Sequence, residues 1–565
     1  MDDVDAVQAQ IARNMLQSGD WVTARLNGVA YLEKAPLEFW TMAISYRIFG
    51  VRDWAARLPL ALCVILLCFL TYRFARWAFD EETGLYAGFI VATCIGMFLF
   101  TRILIPDAKL TLVITGAIWA WLYLLEPESE SAHPRRWAIL LGACLGTGLL
   151  LKGLIGAVFP VAAGLAYMAV TGQLFTLAAW RKLHLWIAVA VALLIAAPWH
   201  VLATLANPPY FAFSMKSGPN DYRGFFWFYF INEHLLRFLN LRYPRDYNTV
   251  PRYLFWLLTL VWLFPWSAYL PGVAGLSFRP ASRAGRVRLM ALCWFGVVML
   301  FFTFSTTQEY YSMPMYPALA LLIASALTAG GRWLRIANGI LVAIAVILCG
   351  GLTALLAFTW RLPASGEISQ VLTQNPEMYT FSMGHMTDLT LNAFAYLKLP
   401  LALAAAAFGI CAGGLAASRS NLRRAVLVLA AGMVIFFQAA RVALIRFDSY
   451  LGSYPLAKAL EQSPPGRLIE ADAYYAFSSV FFYTNRQALL LNGRFNNLEY
   501  GSYAPGAPQV FIGDSEFTQL WSEPQRCYLL AYGTELPHLR QLVGKDALHV
   551  VAENSGNYLL TNHPI

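Results

Sequence analysis

The sequence predicts a polytopic α-helical membrane protein with interfacial helices and a small C-terminal α/β domain. Of its 565 residues, 58% are hydrophobic and only 13% are charged, about half the charge of an ordinary soluble domain. Apolar runs long enough to cross a bilayer recur between residues 53 and 446, with basic residues in every second connection. The tail 447–565 has the short strands and turns of a water-exposed domain.

The net charge of +9 does not indicate a nucleic-acid-binding protein, because Lys and Arg are dispersed among short loops without a basic patch or binding motif. Seven of the eight cysteines lie in apolar segments, so neither a disulfide framework nor a Cys-x-x-Cys metal site is expected. The lipid bilayer is the expected surrounding, and a monomer is the expected state.

Residues 1–52 are predicted to form an extracytoplasmic loop with helices at the membrane interface. Its first helix has apolar residues at helical spacing, namely Val7, Ile11, Met15 and Leu16. Residues 19–28 predict a strand and a turn, and a second apolar helix is expected to begin after Pro36. Because nothing before residue 53 could carry this loop across a membrane, we expect a further transmembrane helix upstream.

Ten segments have the roughly 20 apolar residues that one span requires. They lie near 54–77, 84–104, 106–125, 184–204, 251–275, 286–305, 312–330, 333–359, 398–416 and 422–446. The run 137–171 is too long for one span and carries Lys152 at its middle, where a lysine at the bilayer centre would be costly. Two shorter helices joined by a turn at Lys152 and Gly153 fit better, which makes the predicted total twelve.

The basic residues predict which loops face the cytoplasm. Every second connection is short and basic, and these hold Arg73/Arg76, Arg135/Arg136, Arg181/Lys182, Arg279/Arg283/Arg286/Arg288, Arg332/Arg335 and Arg419/Arg423/Arg424. The positive-inside rule places them in the cytoplasm. The alternate connections then lie outside the cytoplasm: 1–52, the turn from Arg102 to Asp107, the Lys152 turn, 205–250, 305–311, 360–397 and the tail.

The first forty residues also carry five linked motifs. The run DDVDAVQAQIARNMLQSGDWVTARLNGVAYLEKAPLEFW contains an acidic pair, Ile-Ala-Arg-x-Met, Gly-Asp-Trp, Leu-Asn-Gly and Tyr-x-Glu-Lys-x-Pro-Leu. It resembles the first extracytoplasmic loop of the bacterial C-type membrane glycosyltransferases (the GT-C fold). That group contains the aminoarabinose transferases of lipid A and the protein O-mannosyltransferases. The resemblance continues more weakly over about the first 330 residues, through Asp107, Lys152-Gly153, Glu233-His234 and Tyr310-Tyr311.

The resemblance implies an inverting glycosyltransferase that takes a sugar from a polyprenyl (undecaprenyl) monophosphate donor. Its acceptor would be a lipid A-like molecule or another extracytoplasmic lipid or protein, at the periplasmic face of a bacterial inner membrane. A protein O-mannosyltransferase-like enzyme and a lipid-linked sugar ligase or polymerase are close alternatives. A secondary transporter fits less well, because no repeat relates the two halves and the acidic residues lie in loops instead of at the midplane.

Such a transfer needs a carboxylate that orients or deprotonates the acceptor. Counted back from Ile11, the family's acidic pair appears as Asp2-Asp3 with two residues inserted, and Asp5 supplies a third candidate. We favour Asp2 as the catalytic residue, followed by Asp3 and Asp5. Asp107 follows Pro106, where it either caps the next helix or helps to place the donor.

Cations must neutralise the leaving phosphate. Lys34 and Lys152 each lie beside a predicted membrane face, and we favour this role for Lys34 over that of an interfacial anchor. Arg102 and Arg223 are further candidates for the phosphate site. Tyr310 and Tyr311 either line the lipid cleft or belong to an aromatic belt at the interface.

Glu33 and His234 are the candidate metal ligands. The resemblance implies that this pair holds a divalent cation, Zn, Mg or Mn, that bridges to the phosphate. Without the resemblance, His234 is better interpreted as a hydrogen-bonded interface residue. No other cofactor is expected, and the loop 205–250 is long enough to form a lid over the site.

In the tail, short strands are predicted at 467–471, 488–491, 509–512, 527–532 and 549–551. The tail sequence holds no phosphate-binding loop, nucleophile motif or metal cluster. We therefore expect it to be structural or to position the acceptor.

Overall fold

The computed structural model describes residues 1–127, 132–245, 249–364, 366, 368–373, 375–379 and 381–565. Parts of two predicted loops lie outside the described residues, namely 246–248 of the loop 205–250 and residues 365, 367, 374 and 380 of the loop 360–397.

The described residues are mainly helical. The α-helices are α1 (Asp3–Ser18), α2 (Leu37–Phe49), α3 (Asp53–Ala78), α4 (Glu81–Thr93), α5 (Ile95–Phe100), α6 (Asp107–Leu125), α7 (Pro134–Lys152), α8 (Ile155–Val170), α9 (Leu177–Lys182), α10 (Leu185–Ala206), α11 (Gly224–Phe226), α12 (Arg252–Trp262), α13 (Arg283–Phe304), α14 (Tyr316–Ala329), α15 (Arg332–Thr359), α16 (Lys398–Ala417), α17 (Leu422–Leu451), α18 (Tyr454–Gln462), α19 (Ser478–Thr484), α20 (Glu499–Ser502), α21 (Asp514–Ser522) and α22 (Leu536–Val543).

Helices of other kinds connect or extend these. A π-helix spans Trp227–Leu236, and 3₁₀-helices span Trp266–Gly275, Glu309–Met315, Ile368–Val371, Pro376–Met378, Gly384–Asp388, Asn392–Leu397, Asn496–Leu498, Gly533–Glu535 and Lys545–Ala547. The strands are β1 (Arg25–Leu26), β2 (Val29–Ala30), β3 (Arg467–Ala471), β4 (Leu489–Leu491), β5 (Phe511–Ile512), β6 (Cys527–Tyr532), β7 (His549–Asn554) and β8 (Asn557–Thr561).

The N-terminal segment has the predicted elements in a different setting. Val7, Ile11 and Met15 of α1 are buried as the helical spacing predicted, but α1 packs against α2 and against α19 of the tail. Protein therefore covers α1 where the sequence predicted lipid headgroups. Its Asp2 accepts a hydrogen bond from the Asp5 amide at 2.8 Å and so caps the helix, because the first N–H groups of a helix need an acceptor.

Helices occupy all twelve positions at which the sequence predicted spans. Among the described residues, eight helices are long and apolar enough to cross a membrane, or nine if the α12 region, bent by 100°, counts as one span. The other positions hold the short α8, the broken pair α4 and α5, and α7, which has charged residues at both ends. The polytopic helical class is confirmed, while the total of twelve stays a prediction.

The predicted break at Lys152 is confirmed. Helix α7 ends at Lys152, and α8 begins three residues later at Ile155. Gly153 between them has φ +66°, and an added Cβ would lie 2.0 Å from Nε2 of His234. Both the backbone conformation and the close approach therefore require glycine.

The two ends of α6 carry different charge clusters. Asp107 is in its first turn, and at the opposite end the buried Glu126 accepts a hydrogen bond from Arg286 at 2.8 Å. Nineteen residues separate the two ends by roughly 28 Å, the thickness of a hydrocarbon core. The two clusters therefore lie at opposite ends of the helical bundle. Arg286 belongs to a connection that the sequence predicts to face the cytoplasm.

The predicted strands of the tail form one six-stranded sheet, together with β8, which the sequence did not reveal. The strand order is β5-β4-β3-β6-β8-β7, with parallel pairs from β5 to β6 and antiparallel pairs at β6-β8 and β7-β8. Helices α19, α21 and α22 connect the strands, which makes this part α/β.

The tail docks on α1 through Asp3. One carboxylate oxygen of Asp3 accepts from the Ser479 amide at 2.7 Å, and the other accepts from the Ser453 hydroxyl at 3.0 Å. Burial raises the pKa of Asp3 to about 6, against the hydrogen bonds from these serines. Asp3 is therefore a docking residue between the first helix and the tail.

Candidate active site

A polar cavity of about 340 Å³ lies where the ends of several helices meet the N-terminal segment and the tail. Helices α6 and α8 begin at it, and α7 ends at it. The lining residues are Val4, Gln8, Tyr31, Glu33, Lys34, Ala35, Ile105, Pro106, Asp107, Leu151, Lys152, Ile155, Tyr229, Glu233, His234, Arg237, Gln308, Tyr310, Tyr311, Tyr475 and Asn497. The tail thus contributes two side chains to a cavity that the helical bundle mainly builds.

Glu33 is buried at this cavity and is held by three groups. Its Oε1 accepts from the Tyr31 hydroxyl at 2.7 Å and lies 3.0 Å from Lys34 Nζ, while Oε2 accepts from Arg242 at 2.9 Å. Burial alone would raise the pKa of Glu33, but Lys34 and Arg242 together hold it at about 2. Glu33 is therefore a permanent anion that fixes two cations.

Lys34 lies at the boundary between this carboxylate and the open cavity. Its side chain is 37% exposed, whereas that of Glu33 is 3% exposed. Burial would lower the pKa of Lys34, but the Glu33 carboxylate outweighs this and raises it. A charged ammonium is thus presented to the cavity, as the prediction of a phosphate-binding lysine requires.

Arg242 is buried behind the cavity and joins two of its carboxylates. Its guanidinium bonds to Glu33 and forms a second ion pair with Glu233. The carbonyl of Pro244 accepts another of its hydrogen bonds at 2.7 Å. Since Arg has a planar fork of donors, one side chain can tie the N-terminal segment to the loop after α10.

Lys152 and Asp107 form an ion pair across the ends of α7 and α6. Their Nζ and Oδ1 atoms are 2.6 Å apart, and the carboxylate is buried. The cation stands at the C-terminus of α7 and the anion in the first turn of α6, where the helix dipoles favour each charge. The predicted capping role of Asp107 is wrong, because Pro106 occupies the cap position and the cap has no side-chain hydrogen bond.

Two tyrosines complete the cation-rich side of the cavity. Lys152 Nζ lies 4.6 Å from the ring centre of Tyr311 and 5.4 Å from that of Tyr310, a cation–π arrangement. Arg237 donates to the Tyr311 hydroxyl at 3.3 Å and to Glu233 at 2.9 Å. Both tyrosines therefore line the cavity, as one of the two predicted alternatives requires.

An apolar groove of about 240 Å³ opens from this side of the cavity. It shares Ile155, Glu233, His234, Arg237 and Tyr311 with the cavity. Its other walls are mostly apolar, and include Leu154, Val158, Leu235, Phe238 and Phe301. A cavity lined by charged side chains thus joins an apolar groove.

His234, a predicted metal ligand, lines the cavity and makes a hydrogen bond with each ring nitrogen. Its Nδ1 bonds to the carbonyl of Tyr229 at 2.5 Å, and its Nε2 accepts from the Leu154 amide at 3.1 Å. Burial lowers the pKa of His234, so the ring is neutral. Both ring nitrogens of His234 and both oxygens of Glu33 thus have partners in this structure, and the described residues contain no cluster of three potential metal ligands, so a metal held by this pair stays a prediction.

The three N-terminal aspartates do not line the cavity. Asp2 caps α1, Asp3 docks the tail, and Asp5 is fully buried, where it pairs with Arg57 and accepts from the Leu104 amide at 2.7 Å. Burial and the charge of Asp2 raise the pKa of Asp5 to about 7 against the effect of Arg57. The structure thus gives these residues supporting positions, and α1 presents Val4 and Gln8 to the cavity instead.

Arg102 and Arg223 are also absent from the lining. The Arg102 guanidinium lies over the ring of Phe98, 4.7 Å from its centre. Arg223 pairs with Asp221 at 2.5 Å and lies over Trp227. Both arginines make local contacts, and neither joins Lys34 and Lys152 in the lining of the cavity.

Sequence reasoning missed Arg237, Arg242 and the two residues from the tail. A signal was present for the arginines, because the sequence predicts that their loop lies outside the cytoplasm, where arginines are unusual and suggest a specific role. Glu233 and Arg237 also stand four residues apart, the spacing of a helical ion pair. Tyr475 and Asn497 have no such signal, since only the docking of the tail brings them here.

The comparisons with known proteins agree with this architecture. The family model for dolichyl-phosphate-mannose-protein mannosyltransferases matches residues 33–201. An undecaprenyl phosphate-alpha-4-amino-4-deoxy-L-arabinose arabinosyl transferase from Erwinia tasmaniensis is 25% identical over 92% of this chain and 86% of its own length. The transferases of that name from Pseudomonas aeruginosa and Photorhabdus laumondii are 30% and 26% identical over 59% and 56% of this chain. The chain spans about half the length of these two relatives, 56% of the Pseudomonas aeruginosa protein and 53% of the Photorhabdus laumondii protein.

A solved structure matches nearly the whole chain. The crystal structure of ArnT from Cupriavidus metallidurans bound to undecaprenyl phosphate superposes with a TM-score of 0.79 and 25% identity, over 99% of this chain and 93% of that one. Its apo state gives a TM-score of 0.77 over 100% and 93%. The resemblance carried by the first forty residues is thereby confirmed.

Proposed function

We propose that this chain, as a member of the C-type membrane glycosyltransferases that it resembles, transfers a sugar from a polyprenyl monophosphate to an acceptor outside the cytoplasm. The observation that carries the proposal is the junction between the cation-rich cavity and the apolar groove. A polyprenyl phosphate has the same division into an anionic head and a long apolar chain. The ArnT structure with undecaprenyl phosphate bound supports this choice of lipid.

Charge balance supports a phosphate in the cavity. Lys34, Lys152 and Arg237 line it, and Arg242 lies behind them, against the carboxylates of Glu33, Asp107 and Glu233. Four cations thus face three anions among the described residues, which leaves an excess of positive charge. An incoming phosphate would use this excess, and the leaving phosphate would be stabilised by the same groups during the reaction.

The position of the groove suggests how the donor is oriented in the cavity. Because Arg237 and Tyr311 belong to both the cavity and the groove, they lie where a phosphate would join a lipid chain. Lys34 and Lys152 then lie further inside, beside the bond between the phosphate and the sugar. In a single displacement the acceptor oxygen attacks the anomeric carbon, the bond to the phosphate oxygen breaks and the configuration inverts.

Asp107 takes the role that the sequence assigned first to Asp2. Its Oδ2 is buried and has no hydrogen-bond partner among the described residues, while Lys152 holds Oδ1. A hydroxyl acceptor would give its proton to this carboxylate, and an already ionised phosphate acceptor would need only orientation and charge screening. No step in this scheme passes through a metal ion.

The finer points of the proposal concern the acceptor and the compartment. The matching relatives are named for aminoarabinose transfer, and a lipid A-like phosphate is our first choice of acceptor, with a protein hydroxyl as the alternative. The cavity lies at the end of the bundle opposite the Glu126–Arg286 cluster, and with the positive-inside rule this supports a periplasmic position. The setting is then the bacterial inner membrane, where we expect a monomer.

The test is transfer of labelled sugar by the purified protein in vesicles. Undecaprenyl phosphates that carry different sugars serve as donors, and lipid A, total membrane lipids and membrane proteins are offered separately as acceptors. A labelled lipid or protein product supports a transferase and identifies its acceptor. Movement of intact sugar across the vesicle membrane without any product would establish a carrier in its place.

A further inference from the structure

Several uncharged polar side chains line the cavity but not the groove. Gln8 of α1 and Tyr475 and Asn497 of the tail belong to the cavity and not to the groove. Their side chains end in amide and hydroxyl groups, which both donate and accept hydrogen bonds. We refer to these three residues as the neutral wall.

Two residues of the neutral wall, Tyr475 and Asn497, are connected to Lys34. The Tyr31 hydroxyl is 3.2 Å from that of Tyr475, and it accepts from the Asn497 amide at 3.3 Å. The same Tyr31 hydroxyl bonds to Glu33, which pairs with Lys34. Consecutive contacts through Tyr31 and Glu33 therefore connect two residues of the wall to Lys34.

The wall also has hydrogen-bonding capacity left. The Gln8 amide is half-buried and has no partner among the described residues, and the same holds for the Asn497 side-chain oxygen. The cations that line the cavity, in contrast, are each paired: Lys34 with Glu33, Lys152 with Asp107 and Arg237 with Glu233. Amide groups at a fixed wall suit the hydroxyl groups of a ring, whereas the cations suit the phosphate.

We infer that Gln8, Tyr475 and Asn497 form the subsite that recognises the hydroxyl groups of the transferred sugar, so the tail takes part in selecting the donor. This inference rests on the proposed function and names the part of the substrate that each side of the cavity binds. The groove and the cations hold the lipid phosphate, which is common to all donors. The neutral wall distinguishes one sugar from another.

The inference is tested by pairing changes in the wall with changes in the sugar. Gln8→Leu, Tyr475→Phe and Asn497→Leu are compared with Gln487→Leu, an exposed residue of the tail outside the cavity. Each wall variant should lower kcat/KM for a hydroxylated donor roughly tenfold, the effect of one lost hydrogen bond. With a donor that lacks the recognised hydroxyl, wild type and the matching variant should become equal, a result that a merely structural defect would not produce.

A second arm changes the preference instead of weakening it. Asn497→Asp places a carboxylate on the wall and should raise kcat/KM for an amino-sugar donor relative to a neutral one by roughly tenfold, since hydrogen bonds to charged groups are stronger. Binding of undecaprenyl phosphate without a sugar should be the same in every variant, which also shows that the variants fold.

The outcomes separate the two levels of the proposal. If wild type transfers sugar and the wall variants have the same kcat/KM as wild type with every donor, the inference is overturned and the proposed function stands. If the variants lose binding of sugar-free undecaprenyl phosphate, the wall supports the lipid site and is not the sugar subsite. If wild type binds the lipid but transfers no sugar, the proposed function fails and this inference fails with it.

Discussion

Lys152 Nζ lies 2.6 Å from Asp107 Oδ1, while Oδ2 of the same buried carboxylate has no hydrogen-bond partner among the described residues. Burying half of a carboxylate without a partner costs free energy, which a purely structural ion pair would avoid. Both residues line the cavity, so a substrate bound there would lie beside this buried, unpaired oxygen. In the proposed reaction, the pair would supply a cation for the phosphate and an acceptor for a proton or hydrogen bond.

Replacing Lys152 by Met should abolish transfer. The change removes a cation from the phosphate site and leaves Asp107 as a buried carboxylate without its counter-ion, so a fall of at least about 100-fold in kcat/KM is expected. The measurement is transfer of labelled sugar by purified protein. Lys182→Met, at the opposite end of the bundle, is the matched control, and a Lys152 variant as active as this control would contradict the assignment.

Replacing Asp107 by Asn should separate binding from chemistry. The amide keeps a hydrogen-bond acceptor towards Lys152 but cannot take a proton, so kcat should fall by roughly 10²–10⁴-fold with a hydroxyl acceptor. Affinity for undecaprenyl phosphate should change little. With an ionised phosphate acceptor the loss should be much smaller, and an equal loss with both acceptors would argue against proton transfer to Asp107.

Replacing Arg242 by Met should destabilise the protein. It leaves Glu33 and Glu233 buried without their shared cation, which costs about 3–5 kcal/mol for a broken buried ion pair. Thermal unfolding in detergent measures the loss. Arg242→Lys should restore little of it, because a lysine cannot bond to both carboxylates as the fork does. Arg245→Met, which removes an exposed hydrogen bond to Asn240, should leave the unfolding temperature nearly unchanged.

Docking of the tail should weaken as the pH rises through the acidic range. The folded pKa of Asp3, about 6, exceeds the ordinary value of about 3.9, so folding favours the protonated acid. This stabilisation is complete below about pH 4 and is lost as the pH rises to about 6. The side chain of the Asp3→Asn variant is neutral at every pH, so the variant should show a flatter pH dependence of tail docking in that range.

Proteolytic release of the tail as a function of pH measures this effect. Glu535 nearby also has its pKa raised by burial, to about 7, so some slope should remain in the Asp3 variant. Asp514→Asn, on an exposed face of the same domain, should reproduce the wild-type profile. A wild-type profile that is flat between pH 4 and 7 would rule out Asp3 as the titrating group.

The sequence alone was enough for the membrane class, the break at Lys152 and the family resemblance. Apolar length fixes where a chain can span a bilayer, and a lysine in the middle of an apolar run leaves few arrangements open. The lysines at positions 34 and 152 were found for the same reason, since each charge stands beside a membrane face. Strands β3 to β7 were likewise visible from their apolar runs between turns.

The sequence did not determine which carboxylate faces the cavity. Asp2, Asp3 and Asp5 are all acidic residues in one short segment, and only the packing of α1 against α2 and α19 turns them towards a cap, the tail and Arg57. Asp107 is more than 100 residues away and enters the site because α6 begins there. Which side of a helix faces inward depends on its neighbours, and a pattern within the helix does not name them.

Local patterns therefore determined the elements, because hydrophobic length, turn residues and charge act over a few residues or one span. The assembly of the candidate site was decided by the tertiary structure, since it joins Glu33, Asp107, Arg242 and Asn497 from four distant segments. Their pairing depends on burial, which strengthens each ion pair and penalises each unpaired charge. These energies arise only when the folded chain buries the charges, so the pairing cannot be predicted from any short stretch of the sequence.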